Sequence, residues 1–173
     1  MKDKIERWIA DKQARDKEFR FYVSKKVIQK TRRSDEEIQG HLAKMEHNLM
    51  FAHKVLDMGG YSDWVITAYY YAVYQASLAL ILNKGFYSKN HTATLLLLIK
   101  CYYPTFDKDE MNFFDDLHKK TVDRDLLFSY NFLKVKREEA SYTIKTSYEK
   151  KEVELIKKKA IDFVNKTLDI LGK

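Results

Sequence analysis

Arg137 lies among apolar residues, and its position is the strongest chemical signal in the chain. With Leu126, Tyr130, Leu133 and Ala140 it recurs at spacings of four and three, which places all five on one stripe of a helix. A guanidinium on such a stripe needs a carboxylate, carbonyl groups, water or a ligand anion. Two alternatives follow: an internal ion pair with an Asp or Glu of a neighbouring helix, or a polar cleft that binds an anion such as phosphate.

Histidines are the side chains that titrate near neutral pH, and the chain has five. His41, His47 and His53 are six residues apart, which turns each one about 240° from the last on a helix, so they cannot share one metal ion. His91 opens a helix beside Lys89, where hydrogen bonding to the loop is its structural role. We therefore predict no metal site, and no residue pattern indicates a cofactor.

Other common catalytic arrangements are missing from the sequence. It contains no glycine-rich phosphate loop, no CxxC pair and no nucleophile elbow with a Ser/His/Asp set. Glu138 and Glu139 are adjacent and so face different directions on a helix, which weakens a paired-carboxylate mechanism. Cys101 is the single cysteine, which excludes an internal disulfide and indicates a small buried side chain.

The net charge of +7 is concentrated in the first 33 residues. That segment holds twelve Lys/Arg and five Asp/Glu, whereas the rest of the chain holds twenty of each. Such a segment attracts RNA or an acidic protein surface by screened Coulomb attraction; a solvated helix face is the alternative. The cations that end this basic arm are Lys25, Lys26, Lys30, Arg32 and Arg33.

The elements that must position these residues are helices. Ser34 and Glu37 form a capping box that predicts a helix start, and Gly59-Gly60 predicts its end. Further helices are predicted over 61–83, around 95–99, after a second capping box at Asp107, over 122–141, and after 147. Along the helix predicted between Ser34 and Gly59, apolar residues recur at spacings of four and three, at Ile38, Leu42, Met45, Leu49, Ala52 and Leu56.

No stretch alternates with period two for long enough to predict a strand. We therefore predict an all-α fold: an antiparallel up-and-down helical bundle over 34–173, preceded by an extra basic helical arm over 1–33. Residues 64–82 carry no charge and approach the length of a membrane span. Polar residues interrupt them and tyrosines crowd their middle, so the prediction is the central helix of a bundle and not a membrane segment.

Several ordered motifs resemble the HEPN family of helical domains. The resemblance covers about residues 34–171, and the first 33 residues are additional. Arg137 and the five residues that follow it resemble the arginine-led motif that closes the penultimate helix in one branch of that family. The other matching runs are AYYYAVYQA at 68–76, AL at 79–80, KGF at 84–86 and KNH at 89–91.

The resemblance implies a homodimer with a cleft across its two-fold axis, and so favours the cleft alternative for Arg137. Many HEPN proteins are ribonucleases, often toxins paired with a nucleotidyltransferase antitoxin, and their signature is Arg followed after four to six residues by His. Here Tyr142 stands in the histidine position. A tyrosine of ordinary pKa is deprotonated in only about one molecule in a thousand at pH 7, which makes it a poor general base.

Three functional hypotheses follow. The first is a cytoplasmic HEPN module that binds nucleotide or RNA phosphate with little or no cleavage, beside a nucleotidyltransferase partner that by analogy adenylylates Tyr142. The second is an active ribonuclease in which Arg137 works with Tyr142 or with His91 across the dimer interface. The third is a non-catalytic dimeric scaffold. The residues expected to bind nucleotide or RNA are Arg137, Lys134, Ser141, Tyr130 and Lys89.

Overall fold

The computed structural model describes residues 2–103 and 121–173. Within these two stretches it contains seven helices and two short strands, which confirms the prediction of a mostly helical bundle. The predicted helix that follows Asp107 lies outside the described residues. The helices are α1 (Lys2–Ala10), α2 (Lys12–Ser24), α3 (Asp35–Met58), α4 (Ser62–Asn83), α5 (His91–Tyr102), α6 (Arg124–Tyr142) and α7 (Lys150–Leu171). The strands are β1 (Ile28–Lys30) and β2 (Phe86–Ser88).

α3 and α4 form an antiparallel helical hairpin. α3 begins where predicted, because the Ser34 hydroxyl accepts a hydrogen bond from the Glu37 N–H at 3.2 Å. It ends at Met58, and Gly59 follows with a φ of 70°, a left-handed value that favours glycine. A hydrogen bond of 2.8 Å between His41 Nδ1 and Gln75 Oε1 joins α3 to α4.

α4 is the central helix of the bundle. It packs against α3, α5, α6 and α7, and most of its side chains are buried on all sides. By length and composition it could cross a membrane, with a mean hydropathy of 1.4 in its most apolar window, but 83% of that window is buried inside the fold. Burial within the bundle accounts for this composition without a lipid environment.

α5 and α6 complete the surroundings of Arg137. Asn90 begins α5 by accepting hydrogen bonds from the backbone N–H groups of Thr92 and Ala93, at 2.8 and 3.1 Å. Asp123 begins α6 in the same way, and accepts from the Leu126 N–H at 2.8 Å. These two caps fix the first residue of α5 and of α6. They therefore determine which residues in the first turns of these helices face α4.

The two strands were not predicted, because three residues are too few to show a two-residue period. β1 and β2 pair antiparallel, with Ile28 opposite Ser88. The pairing continues beyond the strands through backbone hydrogen bonds from Thr31 to Gly85 (2.9 Å) and from Lys89 to Val27 (3.1 Å). Gly85 has a φ of 73°, and an added Cβ would lie 3.0 Å from the Thr31 carbonyl oxygen, so glycine is required at this crossing.

The first helices of the basic arm pack on the bundle. α1 contacts α5 and α6, and α2 contacts α5. Ile5 and Trp8 are buried, with 0% and 2% of their surface exposed. Lys100 of α5 binds the Asp16 carboxylate at 2.5 Å, which holds the pKa of that carboxyl below its ordinary value. Ile5 and Trp8 therefore belong to the main core.

Candidate anion-binding site

Three elements converge around Arg137. The middle of α4 supplies the rings of Tyr70 and Tyr71, α5 supplies His91 as its first residue, and α6 supplies Arg137 and Tyr142 from its last two turns. The separation in sequence is large, since 66 residues divide Arg137 from Tyr71. Only the packing of α4 against α5 and α6 brings these groups together.

The guanidinium of Arg137 is held by tyrosines. Its Nη2 donates to the Tyr71 hydroxyl at 2.6 Å, and its Nη1 donates to the Tyr142 hydroxyl at 3.2 Å. The carbon at its centre lies 5.8, 5.3 and 5.2 Å from the ring centres of Tyr70, Tyr71 and Tyr142. These distances are typical of cation–π contacts, which favour the charged form of the side chain.

No carboxylate neutralises Arg137 within residues 2–103 and 121–173. Its neighbours Glu138 and Glu139 are paired with Lys134 and Lys136, at 2.6 and 3.0 Å. The Arg137 Nε is buried and has no hydrogen-bond partner among the described residues. Of the two alternatives from the sequence, the internal ion pair is thus not found in the described chain, and one donor is left unused.

The pKa of Arg137 is raised although the site is partly buried. Burial by itself disfavours the cation, but the hydrogen bonds to the hydroxyls of Tyr71 and Tyr142 outweigh it and raise the pKa. The cation therefore persists at every physiological pH, in surroundings less polar than water. A fixed cation with planar donors under these conditions is suited to an oxyanion.

His91 contacts the same Tyr70 ring as Arg137 does. Its Nδ1 shares a hydrogen bond of 2.5 Å with the Tyr70 hydroxyl, and its ring centre lies 4.2 Å from that of Tyr74. The Tyr130 hydroxyl donates to the His91 carbonyl oxygen at 3.0 Å. Nε2 of His91 forms no hydrogen bond within the described residues, which leaves one ring nitrogen available.

The surroundings of His91 favour its neutral form. Burial contributes most to lowering its pKa, and the charges of Arg137 and Lys134 lower it further, while Glu138 acts in the opposite direction. Burial also raises the pKa of Tyr70 well above its ordinary value, so that phenol remains protonated. At pH 7 the site therefore combines one cation, one neutral imidazole and neutral phenols.

The lowered pKa of His91 predicts a pH dependence of stability. The unfolded chain binds a proton at His91 near the ordinary pKa of 6.5, whereas the folded chain binds it only at lower pH. The free energy of unfolding should therefore fall as the pH is lowered from 7.5 to 5.5. His91→Gln should flatten this slope in chemical denaturation curves. The shifted carboxyls of Asp16 and Glu139 titrate at lower pH, so equal slopes for both proteins would contradict the assignment.

The remaining residues predicted to bind nucleotide differ in accessibility. Tyr130 is fully buried and donates a hydrogen bond to the His91 carbonyl oxygen, so its side chain is not accessible to a ligand. Lys134 is engaged with Glu138 and only 12% of its side chain is exposed. Ser141 is exposed, and its hydroxyl lies 3.4 Å from that of Thr67. Tyr142 is 75% exposed, the most accessible aromatic ring of the site.

The five arm cations are all exposed, and they lie on or beside β1. The pairing of β1 with β2 places them near Lys89, which is also exposed and precedes His91 by two residues. Sequence spacing gave no indication of this proximity, since the arm and the loop at 84–90 are more than fifty residues apart.

The positions of Tyr70 and Tyr71 beside Arg137 were not predicted from the sequence. A cluster of tyrosines in an apolar helix is usually core, and Tyr70 is indeed fully buried. The signal that could have identified them is the pair itself, because adjacent helix positions point in directions about 100° apart. One phenol can then reach His91 while the next reaches Arg137.

Comparison with known proteins adds no identification. No protein-family model matches the chain, and no curated protein is significantly similar to it. The resemblance to HEPN domains therefore depends on the residues of this sequence alone.

Proposed function

We propose that this chain is a HEPN-type helical module that binds a phosphate group of a nucleotide or of RNA through Arg137, with little or no cleavage. The observation that carries the proposal is the Arg137 guanidinium, which has no carboxylate partner in the part of the chain that the structure describes and is held by the hydroxyls of Tyr71 and Tyr142. In a structural ion pair the charge would be neutralised, whereas here its attraction for an anion is retained. The exposed ring of Tyr142 beside it offers a surface on which a base can stack.

A partner protein completes the proposal. HEPN modules act beside nucleotidyltransferases, and the accessible hydroxyl of Tyr142 is the group such an enzyme would adenylylate. The phenol oxygen would form a bond to the α-phosphorus of ATP and release its proton to the solvent, and pyrophosphate would leave. The homodimer belongs to the same proposal, since a second copy would enclose the Arg137 site in a cleft.

Substitution of Arg137 tests the binding function. Arg137→Met should weaken binding of 5′-AMP and of a short RNA by about 10- to 100-fold in fluorescence titrations, because a charge-assisted hydrogen bond contributes about 1.5–3 kcal/mol. Arg137→Lys should recover part of the loss by restoring the charge without the planar donors. Arg124→Met is the matched control, since Arg124 lies on the same helix, is exposed and pairs with Glu6. Equal affinities of wild type and Arg137→Met would refute the proposal.

An active ribonuclease is the second candidate, and the position of His91 favours it. His91 reaches the Tyr70 ring that Arg137 also contacts, and its imidazole is neutral at pH 7, as a general base must be. The same RNA, labelled at one end and incubated in the titrations above, distinguishes the two functions. Fragments that depend on both Arg137 and His91 would establish the nuclease, whereas intact RNA with Arg137-dependent affinity would establish binding alone.

A further inference from the structure

The pairing of β1 with β2 assembles a basic surface from two distant segments. We name it the basic hairpin, and it consists of residues 25–33 and 84–89, joined by the register of Gln29 with Tyr87 and by the hydrogen bonds that flank the strands. Its cations are Lys25, Lys26, Lys30, Arg32, Arg33, Lys84 and Lys89.

The charges of the basic hairpin are almost uncompensated. All of its lysines and arginines are exposed, and neither segment contains an Asp or Glu. Within the described residues only Arg33 has an acidic partner, Asp35, at 2.7 Å between two exposed side chains. Such a surface pair contributes little and leaves the local field positive. Elsewhere in the sequence Lys/Arg and Asp/Glu are equal in number, so the seven cations of the basic hairpin equal the net charge of +7.

An aromatic ring lies on the outer face of the basic hairpin. Ile28 and Ser88 are buried and opposite each other, so the next pair along the ladder, Gln29 and Tyr87, points to the solvent. Tyr87 is 43% exposed and has cations before and after it on both strands. A partly fixed ring among cations is the combination that binds single-stranded nucleic acid, through stacking on bases and attraction of phosphates.

The basic hairpin continues into the Arg137 site. The Lys89 N–H donates to the Val27 carbonyl oxygen, which fixes Lys89 against the arm. Two residues later His91 shares its hydrogen bond with Tyr70, the ring that Arg137 contacts. No acidic side chain interrupts the sequence from Trp64 to Tyr103, which includes the loop at 84–90 and both Tyr70 and Tyr71.

We propose that the basic hairpin binds the nucleotides that flank the one held at Arg137, so that the ligand of this protein is a single-stranded RNA segment and not a mononucleotide. This inference rests on the proposed function and defines its ligand class. The hairpin favours RNA over an anionic membrane, because Tyr87 is its single exposed large apolar side chain among the described residues. Membrane-surface binding requires a larger exposed apolar face in addition to cations.

Charge removal on the basic hairpin tests the inference. The variant Lys25→Gln/Lys30→Gln/Lys84→Gln is compared with wild type for binding of an oligouridylate of about ten nucleotides, near the site size of small single-strand binders. If all three lysines contact phosphates, the slope of log affinity against log salt should decrease by roughly 2, and affinity should fall about 10- to 100-fold near 0.1 M salt. Binding of 5′-UMP should stay unchanged, because Arg137 is retained.

The matched control removes three lysines at the opposite end of the bundle, as Lys54→Gln/Lys150→Gln/Lys151→Gln. All three are exposed and the change in net charge is the same. Equal oligouridylate affinity and salt slope in wild type and the hairpin variant would overturn the inference while leaving mononucleotide binding intact. Failure of the proposed function would differ, since Arg137→Met would then bind 5′-UMP as wild type does. Hairpin-dependent binding of phosphatidylserine vesicles, with no gain in RNA affinity over 5′-UMP, would also overturn it.

Discussion

Replacing Trp8 with alanine should lower the free energy of unfolding by about 3–5 kcal/mol. Trp8 is 2% exposed although it lies in the basic arm, and α1 packs on α5 and α6. Its carbonyl oxygen also accepts a hydrogen bond from the Arg15 guanidinium at 3.0 Å, which ties α1 to α2. Removal of the indole leaves a cavity between the arm and the bundle that the surrounding helices can only partly fill.

Chemical denaturation measures this change, and Phe21→Ala is the control. Phe21 lies in the same arm but is 52% exposed, so its truncation should cost less than about 1 kcal/mol. A single cooperative transition that shifts as a whole in Trp8→Ala would indicate that arm and bundle unfold together. A change as small as that of Phe21→Ala would instead indicate an arm that contributes nothing to the core. The same packing makes deletion of residues 1–33 unsuitable as a test of RNA binding.

Replacing Tyr130 with alanine should have a comparable cost, about 3–5 kcal/mol, and should also impair binding at Arg137. Tyr130 is fully buried, and its ring centre lies 6.1 Å from Phe163 and 6.3 Å from Tyr70. Its hydroxyl donates to the His91 carbonyl oxygen. The substitution removes the contacts of the Tyr130 ring with Tyr70 of α4 and Phe163 of α7. It also removes the hydrogen bond to the first residue of α5.

Tyr130→Phe separates these contributions. It retains the ring and removes one hydrogen bond, so the expected loss of stability is about 0.5–1.5 kcal/mol. Denaturation curves of both variants, together with 5′-AMP titrations of Tyr130→Phe, make the comparison. If Tyr130→Ala were as stable as Tyr130→Phe, the ring would not be part of the core. A normal affinity in Tyr130→Phe is expected, because Arg137, Tyr71 and Tyr142 do not contact the missing hydroxyl.

Helix positions were predictable wherever a cap and a periodic stripe coincide. Ser34 and the stripe from Ile38 defined α3 to within a residue, since both signals are local and independent of the partner helix. The strands were not predictable, because their stability comes from pairing across more than fifty residues and not from a local pattern. The segment 1–33 was predicted as an extra arm because its contacts with the bundle also join distant residues. Ile5 and Trp8 are nevertheless core residues.

The site also has residues that were predictable from the sequence and contacts that were not. Arg137 and His91 could be singled out from the sequence, because a charge on an apolar stripe and an imidazole at a helix start are visible as spacing. The groups that accept hydrogen bonds from Arg137 could not be predicted, because acids and phenols on neighbouring helices are equally available to a flexible side chain. Tyr142 lies on the same helix as Arg137, whereas the choice of Tyr71 depends on how α4 packs against α6.

The sequence by itself determined the helical class, the start and end of α3, and the identity of the cation that we propose as the binding group. The tertiary structure decided that Arg137 has no carboxylate partner in the described chain, that His91 contacts the same tyrosine ring, and that the arm joins the loop before α5. The physical reason is the range of the interactions. Caps and periodicity act within a few residues, whereas the partners of a charge are set by how whole helices pack.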